Sequence, residues 1–577
     1  MLTFSNLFDD QEGLTSYPSF RRRSKKPKTT TGNEAFGENT GGGADNAENG
    51  TAKNDDVEDT SKKVSVWVRI ARKCHRKTFV GAVFCNFWAF FFPALHVILS
   101  KLLVGHIDPN QVATTKLYTW MSVAGLVLND GLPRAAWTVI GDDTTRSRHS
   151  RISLSYTLIL FQVVFGIAVS GILMASAERN AVSPSATVSG GMSKTSLAYV
   201  RYDAMSALTS AIEIGVFNSA RALDHPEIPM LVNFVKFSLN MILDVTVMSQ
   251  YGTLVHQPSM INQAAINMTC DLASAALGLW YFKRVTTKYT KERTTATTGP
   301  NGWKAIDKSK ARPCYASLKV LFQHGIWTFI ESAIRNLILV YLMIGLTTAL
   351  KTENATAWNA FRDIRLGMLL VPLQALETST LTFVGHAWGE WRKEVGPTET
   401  QVEVKESEKD KLTKFYAITK PAWLPCLMIP PLETVLFIVL SIWWAKPYAL
   451  FMSGDQSTAA MVQWMWRTID WCWIPAALST ILATILLATT PRYFCLQGAI
   501  TGLLWMLPWA VGVPGYNYTA ARAWHFAAVL FGGEKLVSFC SVVFTCWLWR
   551  RLLFRGKVKL LPVMKEVDES IPASDKP

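Results

Sequence analysis

Five carboxylic acids lie inside long apolar stretches of this chain, where an ionised side chain is costly. A charge near the centre of a bilayer costs at least about 2.5 to 3.5 kcal/mol, so it is expected to face a cavity or a partner. A desolvated carboxyl group can bind and release protons near neutral pH, and an ionised one attracts organic cations. We therefore predict that these acids bind protons or line a substrate cavity; they are Glu331, Glu377, Asp470, Glu213 and Asp271.

Glu331 has a basic residue, Arg335, four positions further along the chain. In a helix this spacing places both side chains on one face, where they can neutralise each other. Two interpretations follow, and the spacing leaves both open. Glu331 is either a carboxylate that exchanges protons or one half of a structural ion pair.

Asp470 lies in the aromatic segment 464–473, which contains four tryptophans. The faces of Trp466 and Trp473 are candidates to hold an organic cation by cation–π contact. The alternative is a belt of tryptophans at the membrane surface, with Arg467 and Asp470 paired across one helical turn.

Glu213 and Asp271 belong to the first half of the chain and have no cation one helical turn away. They are therefore the candidate acids of that half. Because the other three acids lie in the second half, we expect any proton coupling to take place there.

Other kinds of site find no support in the sequence. The nine cysteines are scattered and include no CxxC pair, so neither a metal site nor a disulfide framework is expected. No Walker-type glycine loop or nucleophile elbow is visible, which argues against ATP-driven chemistry. We expect no cofactor other than a coupling ion, H⁺ or Na⁺.

The composition indicates a polytopic membrane protein. The chain has 577 residues, of which 49% are hydrophobic and 18% are charged, whereas soluble domains carry nearer a quarter of charged residues. A membrane helix needs roughly 20 apolar residues. Such segments predict twelve transmembrane helices and an all-α fold; they lie near 79–103, 114–140, 152–177, 198–220, 229–250, 260–282, 318–346, 357–385, 421–444, 461–489, 494–512 and 524–549.

The distribution of basic residues predicts the orientation. The net charge of +15 would suggest nucleic acid in a soluble protein, but here the cations concentrate in every second loop. The intervening loops 105–113, 251–259 and 445–460 contain one cation between them, Lys446. By the positive-inside rule, both termini are cytoplasmic. The sequons at Asn354 and Asn517 then fall outside, where glycosylation is expected.

The chain divides into two halves. We predict a disordered cytoplasmic tail (1–68), a first six-helix lobe (69–282), a basic cytoplasmic linker (283–316), a second six-helix lobe (317–550) and a cytoplasmic tail (551–577). A weak repeat links the lobes, because 132–141 and 376–385 close equivalent spans with the same spacing from Leu to Gly. Many secondary transporters are built from such pseudo-symmetric lobes.

Four elements resemble the multidrug and toxic compound extrusion (MATE) transporters. VGHID at 104–108 is similar to their "VGHLG" element, and ALETSTLTFVGHAWG at 375–389 is similar to their "VGQxxG" signature. YVR at 199–201 and RALD at 221–224 also resemble the family's pattern. The resemblance implies a divergent eukaryotic, fungal-like member, in which Glu331 stands at the position of an acid tied to proton coupling. His386 departs from the family, which usually has Gln there.

The resemblance implies export of small organic compounds, such as drugs or secondary metabolites, by H⁺- or Na⁺-coupled antiport with alternating access. We expect a monomer in the plasma or vacuolar membrane, in contact with membrane lipid and a small organic substrate, and no nucleic-acid partner. Two alternatives remain. One is a lipid flippase, and the other is a membrane-embedded enzyme, for example a terpene-type cyclase, that uses the intramembrane acids as proton donors.

Overall fold

The structure is a computed structural model that describes most of the helical part of the chain. The described residues are 76–107, 122–181, 198, 201–248, 260–296, 312–349, 357, 361, 364–396, 408–453, 455–512, 525–526, 528–558 and 560. The N-terminal tail (1–68), Asn354 and Asn517 lie outside them. So do residues 297–311 of the basic linker and most of the C-terminal tail.

All regular structure in the described residues is helical, and each of the twelve predicted spans overlaps a described helical segment. We number these segments α1 to α12, using one label where a segment contains a short 3₁₀ or π turn. The first six are α1 Phe79–Ile107, α2 Ser122–Asp130 with Leu132–Ala135 and Ala136–Val139, α3 Arg148–Ala181, α4 Ser206–Ala222, α5 Glu227–Met248 and α6 Met260–Ala296.

The last six segments are less regular than the first. They are α7 Tyr315–Ala349; α8 Arg365–Leu369 with Leu370–Val395; α9 Glu408–Val439 with Leu440–Trp444 and Ala445–Ser453; α10 Gln456–Thr468 with Asp470–Cys472 and Trp473–Thr489; α11 Pro491–Ala499 with Ile500–Met506 and Leu507–Gly512; and α12 Ala528–Gly532 with Gly533–Phe554.

Eight of these segments are long and apolar enough to cross a membrane by length and composition. The all-α, polytopic prediction is confirmed. The segments that fall short are α2, α4, α6 and α8. A break at Gly131 interrupts α2, and α4 has only 17 residues. Helices continue through prolines such as Pro425 in α9, because a bilayer offers the backbone no water as an alternative partner.

The two halves fold into lobes with the same helix packing. In the first lobe the contacting pairs are α1–α5, α2–α3, α2–α4, α3–α4, α4–α5, α4–α6 and α5–α6. In the second lobe they are α7–α11, α8–α9, α8–α10, α9–α10, α10–α11, α10–α12 and α11–α12. Adding six to each number of the first set gives the second set. The packing therefore shows the pseudo-symmetry that the weak sequence repeat indicated.

The lobes meet mainly along two helix pairs that the same symmetry exchanges, α1 with α8 and α7 with α2, and α7 also touches α3 while α2 touches α8 and α10. Small residues allow this close approach: a Cβ atom added to Gly325 of α7 would lie 2.5 Å from the Leu132 side chain. Trp137 of α2 and Val384 of α8 belong to one continuous cluster of buried side chains. This cluster joins the lobes on the side predicted to be cytoplasmic.

Candidate functional site

Five charged side chains gather where the lobes meet, and we call them the interface cluster: Asp130 and Arg134 of α2, Glu331 and Arg335 of α7, and Glu377 of α8. Asp130 and Arg134 flank the break in α2, whose 3₁₀ turn brings them onto the side facing α7. Glu331 and Arg335 are one turn apart on α7. Each lobe thus supplies both acids and bases to the cluster.

Two of the four ion pairs of the interface cluster cross between the lobes. The Nε atom of Arg335 donates to Glu331 at 2.9 Å, and its Nη2 atom donates to Asp130 of the other lobe at 2.7 Å. Arg134 lies 3.5 Å from Glu331 of the other lobe and 3.6 Å from Asp130. The pair that the spacing allowed on α7 therefore forms, but each guanidinium also holds a carboxylate from the opposite lobe.

Glu377 is the acid of this cluster that has no hydrogen-bond or ion-pair partner among the described residues. It interacts electrostatically with Arg134, Asp130 and Arg335. The cluster holds three carboxylates and two guanidinium groups, so one negative charge is left uncompensated when all are ionised. Such a site can take up one proton or one monovalent cation.

Glu331 is held tightly by its surroundings. It is 3% exposed, and α11 approaches it at a glycine. A Cβ atom at Gly498 would lie 2.6 Å from Cγ of Glu331, so only glycine fits without displacing the acid. The break of α2, the ion pairs and this glycine together fix the position of the carboxylate.

Asp470 lies in a second group of charges inside the second lobe. Arg365 of α8 forms an ion pair with Glu433 of α9, and its Nε atom lies 3.4 Å from Asp470. No ion pair joins Asp470 to Arg467 in the part of the chain that the structure describes. The cation that meets Asp470 comes from another helix, which the local spacing could not indicate.

The two candidate aromatic residues have different surroundings. Trp466 is fully buried and packs against Phe361, so in this structure it belongs to the core of the second lobe. The ring of Trp473 already has cations near it, because Arg365 and Lys535 each lie 4.8 Å from its centroid. Trp473 therefore makes the predicted kind of contact with cations of the protein itself.

The acids of the first lobe share a lysine that the sequence analysis missed. Lys236 of α5 lies 2.9 Å from Glu213 of α4 and 2.8 Å from Asp271 of α6. Ser274 also donates to Glu213, at 2.6 Å. We call Glu213, Lys236, Asp271 and Ser274 the first-lobe cluster. It also has one carboxylate more than it has cations.

A further polar region joins α1, α5 and α6. Asp244 lies 3.4 Å from His96, and Gln263 donates to Ser100. Three buried side-chain oxygens of this region have no hydrogen-bond partner among the described residues. They are the Oδ1 atoms of Asn240, Asp244 and Asn267. The residues form pairs four apart on three helices, which is the sequence signal that could have revealed them. Oxygen atoms of this kind suit a small hard cation.

On the predicted cytoplasmic side, the lobes also contact each other at the end of α8. His386 of α8 lies 3.3 Å from Asp224, which follows α4 in the first lobe. A Cβ atom at Gly389 would lie 2.8 Å from the Asp142 carboxylate, so α8 touches the end of the α2 segment. The VGHAWG part of the motif at 375–389 therefore forms a lobe-to-lobe contact.

The structure of the chain is similar to those of known transporters, although no family model and no curated protein matches its sequence. A MOP superfamily transporter from Pyrococcus furiosus Vc1 (DSM3638) superposes with a TM-score of 0.62 at 12% identity, covering 84% of this chain and 97% of the other. An outward-facing multidrug resistance MATE family transporter gives 0.61 at 12% identity with the same coverage. A MATE transporter in complex with MaL6 gives 0.62 at 12% identity, again with that coverage. The chain therefore has the MATE transporter fold, which confirms the MATE-like architecture predicted from the motifs.

Proposed function

We propose that the protein is a secondary active transporter that exports a small organic compound in exchange for H⁺ or Na⁺. The fold and its two equivalent lobes support this proposal. The observation on which it rests most is the uncompensated negative charge of the interface cluster, in which Glu377 has no hydrogen-bond or ion-pair partner among the described residues. A carboxylate in that position responds directly to any movement of one lobe against the other.

The cross-lobe ion pairs supply a route from lobe movement to proton binding. In the structure, where the two lobes are in contact, Arg335 and Arg134 each contact one acid of the first lobe and one acid of the second. Rocking the lobes apart removes Asp130 from Arg335 and Glu331 from Arg134. Carboxylates that lose a cationic partner bind protons more readily. Proton uptake then stabilises the separated arrangement, which is the differential affinity that alternating access requires.

Sodium is the second candidate coupling ion, and a separate observation favours it. Three buried oxygen atoms on α5 and α6 have no hydrogen-bond partner among the described residues, and one of them is a carboxylate oxygen, from Asp244. A Na⁺ ion bound by these oxygens would also carry a charge opposite to that of Asp244. Because this region lies inside one lobe, the proton and sodium hypotheses can be tested with separate variants.

The enzyme alternative fits the arrangement of the acids less well. A cyclase would need its acids to converge in one closed apolar pocket. The described candidate acids instead lie in separate groups on different helix sets, each with its own cations. The distribution favours transport over a single reaction centre.

Transport in liposomes tests the proposal. The purified protein would be reconstituted, and the movement of ethidium, a fluorescent organic cation, would be followed under an imposed pH gradient or an imposed Na⁺ gradient. Glu377→Gln removes the unpaired charge and is expected to abolish acceleration by the pH gradient. Glu390→Gln, on the same helix but exposed, is the matched control and is expected to behave like the wild type.

The coupling ions can be told apart in the same assay. If Asp244→Asn loses the ethidium movement driven by a Na⁺ gradient but keeps the response to a pH gradient, sodium coupling would be assigned to the first lobe. Ethidium movement that neither gradient alters in the wild type would contradict coupled transport. A protein that moves a fluorescent phospholipid, but not ethidium, would instead be a flippase.

A further inference from the structure

A buried arginine near the end of α4 stands apart from the clusters described above. Arg221 is only 6% exposed, and its guanidinium group lies 4.8 Å from the ring centroid of Phe90 and 6.0 Å from that of Phe217. Its Nε atom donates to Oδ1 of Asn86 at 3.0 Å. The charged group is therefore fixed by one amide and two aromatic rings.

No carboxylate lies within ion-pair distance of Arg221 in the residues that the structure describes. The buried Arg365 differs in this respect, since it meets two carboxylates. The buried Arg151 donates instead to the backbone carbonyls of Ile140 and Ala222. Asp224 is close in sequence, but it pairs with His386. A buried charge without a counter-ion is strongly unfavourable. The protein keeps a permanent cation here, which indicates that an anion binds to it.

The geometry of the group indicates the class of anion. The Nε atom of Arg221 is occupied by Asn86, which leaves the N–H groups of the two terminal nitrogens. These point in one plane and match the paired oxygens of a phosphate or a carboxylate. The rings of Phe90 and Phe217 lie within cation–π distance of the guanidinium group and help to hold it.

Asn86 connects this position to the lobe interface. While its oxygen accepts from Arg221, its Nδ2 atom donates to Oγ of Ser379 on α8, at 3.0 Å. Asn86 is 1% exposed and Ser379 is fully buried, so both hydrogen bonds are shielded from water. An anion on Arg221 would therefore lie one side chain away from a contact that must change when the lobes move.

We propose that Arg221, with Asn86, Phe90 and Phe217, forms an oxyanion-binding site that takes a phosphate or carboxylate group and is linked to the lobe interface through Ser379. The oxyanion comes either from a soluble molecule or from the headgroup of an anionic lipid. The site is distinct from the interface cluster, which binds cations or protons. Its existence does not depend on the transport proposed above, since binding is measured without any gradient.

Thermal unfolding of the purified protein in detergent tests the site. Sodium phosphate is titrated against sodium chloride at equal ionic strength, and dioleoyl phosphatidic acid is titrated against dioleoyl phosphatidylcholine in mixed micelles. We expect a saturable rise of Tm in the wild type with phosphate, with phosphatidic acid, or with both. A response to phosphate identifies a soluble oxyanion as a ligand, and a response to phosphatidic acid alone identifies a lipid headgroup.

Variants assign the response to Arg221. Arg221→Gln should weaken the apparent affinity by about tenfold or more, and Arg221→Lys, which keeps the charge but not the planar fork, should weaken it less. Arg284→Gln is the matched control, because Arg284 is exposed and also lies over a ring, 5.4 Å from that of Trp280. It should leave the response unchanged.

Two results would contradict the proposal of an oxyanion site at Arg221. One is a wild-type Tm that responds to neither ligand beyond its chloride or phosphatidylcholine control. The other is a response that Arg221→Lys and Arg221→Gln leave at full strength. If Arg221→Gln does not fold, the wild-type titration and Arg221→Lys still decide the question, because the lysine variant keeps the buried charge.

Discussion

The interface cluster and the first-lobe cluster contain the same kinds of charge and differ in what holds them. Each has one carboxylate more than it has cations. Two of the four ion pairs of the interface cluster join α2 to α7, and thus one lobe to the other. Those of the first-lobe cluster join α4, α5 and α6 within a single lobe. The lobe movement proposed above would break the two crossing pairs and leave the first-lobe pairs intact.

This difference separates a coupling role from a structural one. A buried ion pair that stays together throughout a conformational cycle contributes to folding, but its proton affinity does not change between states. When the acid and the base of an ion pair belong to different lobes, the proton affinity of the acid changes whenever the lobes move apart. The position of a buried carboxylate relative to the lobe boundary therefore matters more for function than its depth in the membrane.

The largest effect is expected from removing the lysine of the first-lobe cluster. Lys236→Met leaves Glu213 and Asp271 as neighbouring, partly buried acids without a cation. Breaking a buried pair in this way costs about 3 kcal/mol, here reduced somewhat because the lysine is partly exposed. We expect a clear fall in Tm in detergent, while the ratio of gradient-driven to passive ethidium movement is retained. An unchanged Tm, or a lost gradient response, would reverse the roles assigned to the two clusters.

A smaller effect is expected where α11 touches the interface cluster. Gly498→Ala places a methyl group against Glu331 and should destabilise the protein by about 1 to 3 kcal/mol through overpacking. It should also lower the gradient-driven rate, because Glu331 shifts away from Arg335. Gly171→Ala, in α3 with nothing near its added Cβ atom, is the control and should be neutral or slightly stabilising. Equal Tm values for the two variants would show that the glycine does not constrain Glu331.

The comparison becomes sharper with a single neutralised acid in the first-lobe cluster. Glu213→Gln leaves Lys236 paired with Asp271 and removes the excess negative charge. We expect a loss of about 1 kcal/mol or less in stability and no loss of the pH-gradient response in liposomes. Glu377→Gln should show the opposite, with a nearly unchanged Tm and no gradient response. Identical behaviour of the two variants would mean that the lobe boundary does not distinguish their roles.

The smallest effect is expected at the contact between His386 and Asp224. Both side chains are partly exposed, so His386→Gln should weaken the closed arrangement by about 1 kcal/mol or less. The transport rate of ethidium should change severalfold at most, and Tm should stay almost constant. Phe383→Tyr, one turn away on α8, tests whether any change on this face has the same effect. A complete loss of transport in His386→Gln would show that this residue has a further role.

The sequence predicted the helices well, but it predicted poorly which charged side chains pair with each other. The pair Glu331 and Arg335 was visible because both residues lie on one helix, one turn apart. Lys236 was missed as the partner of Glu213 because the two lie on different helices and their contact depends on how α4 packs against α5. For the same reason, Arg365 could not be recognised as the cation near Asp470. Asn240 and Asn267 likewise lie on different helices, α5 and α6, so whether their oxygen atoms face one another depends on the packing of those helices.

By itself, the sequence determined a polytopic, all-α chain, because long apolar segments in a bilayer must satisfy their backbone internally and so become helices. Its motifs also indicated the MATE-like architecture. The tertiary structure decided which charges meet and, among the described residues, that Glu377 and the buried Arg221 have no ion-pair partner. Those facts depend on side chains from helices far apart in sequence, and helical periodicity describes only neighbours on one helix.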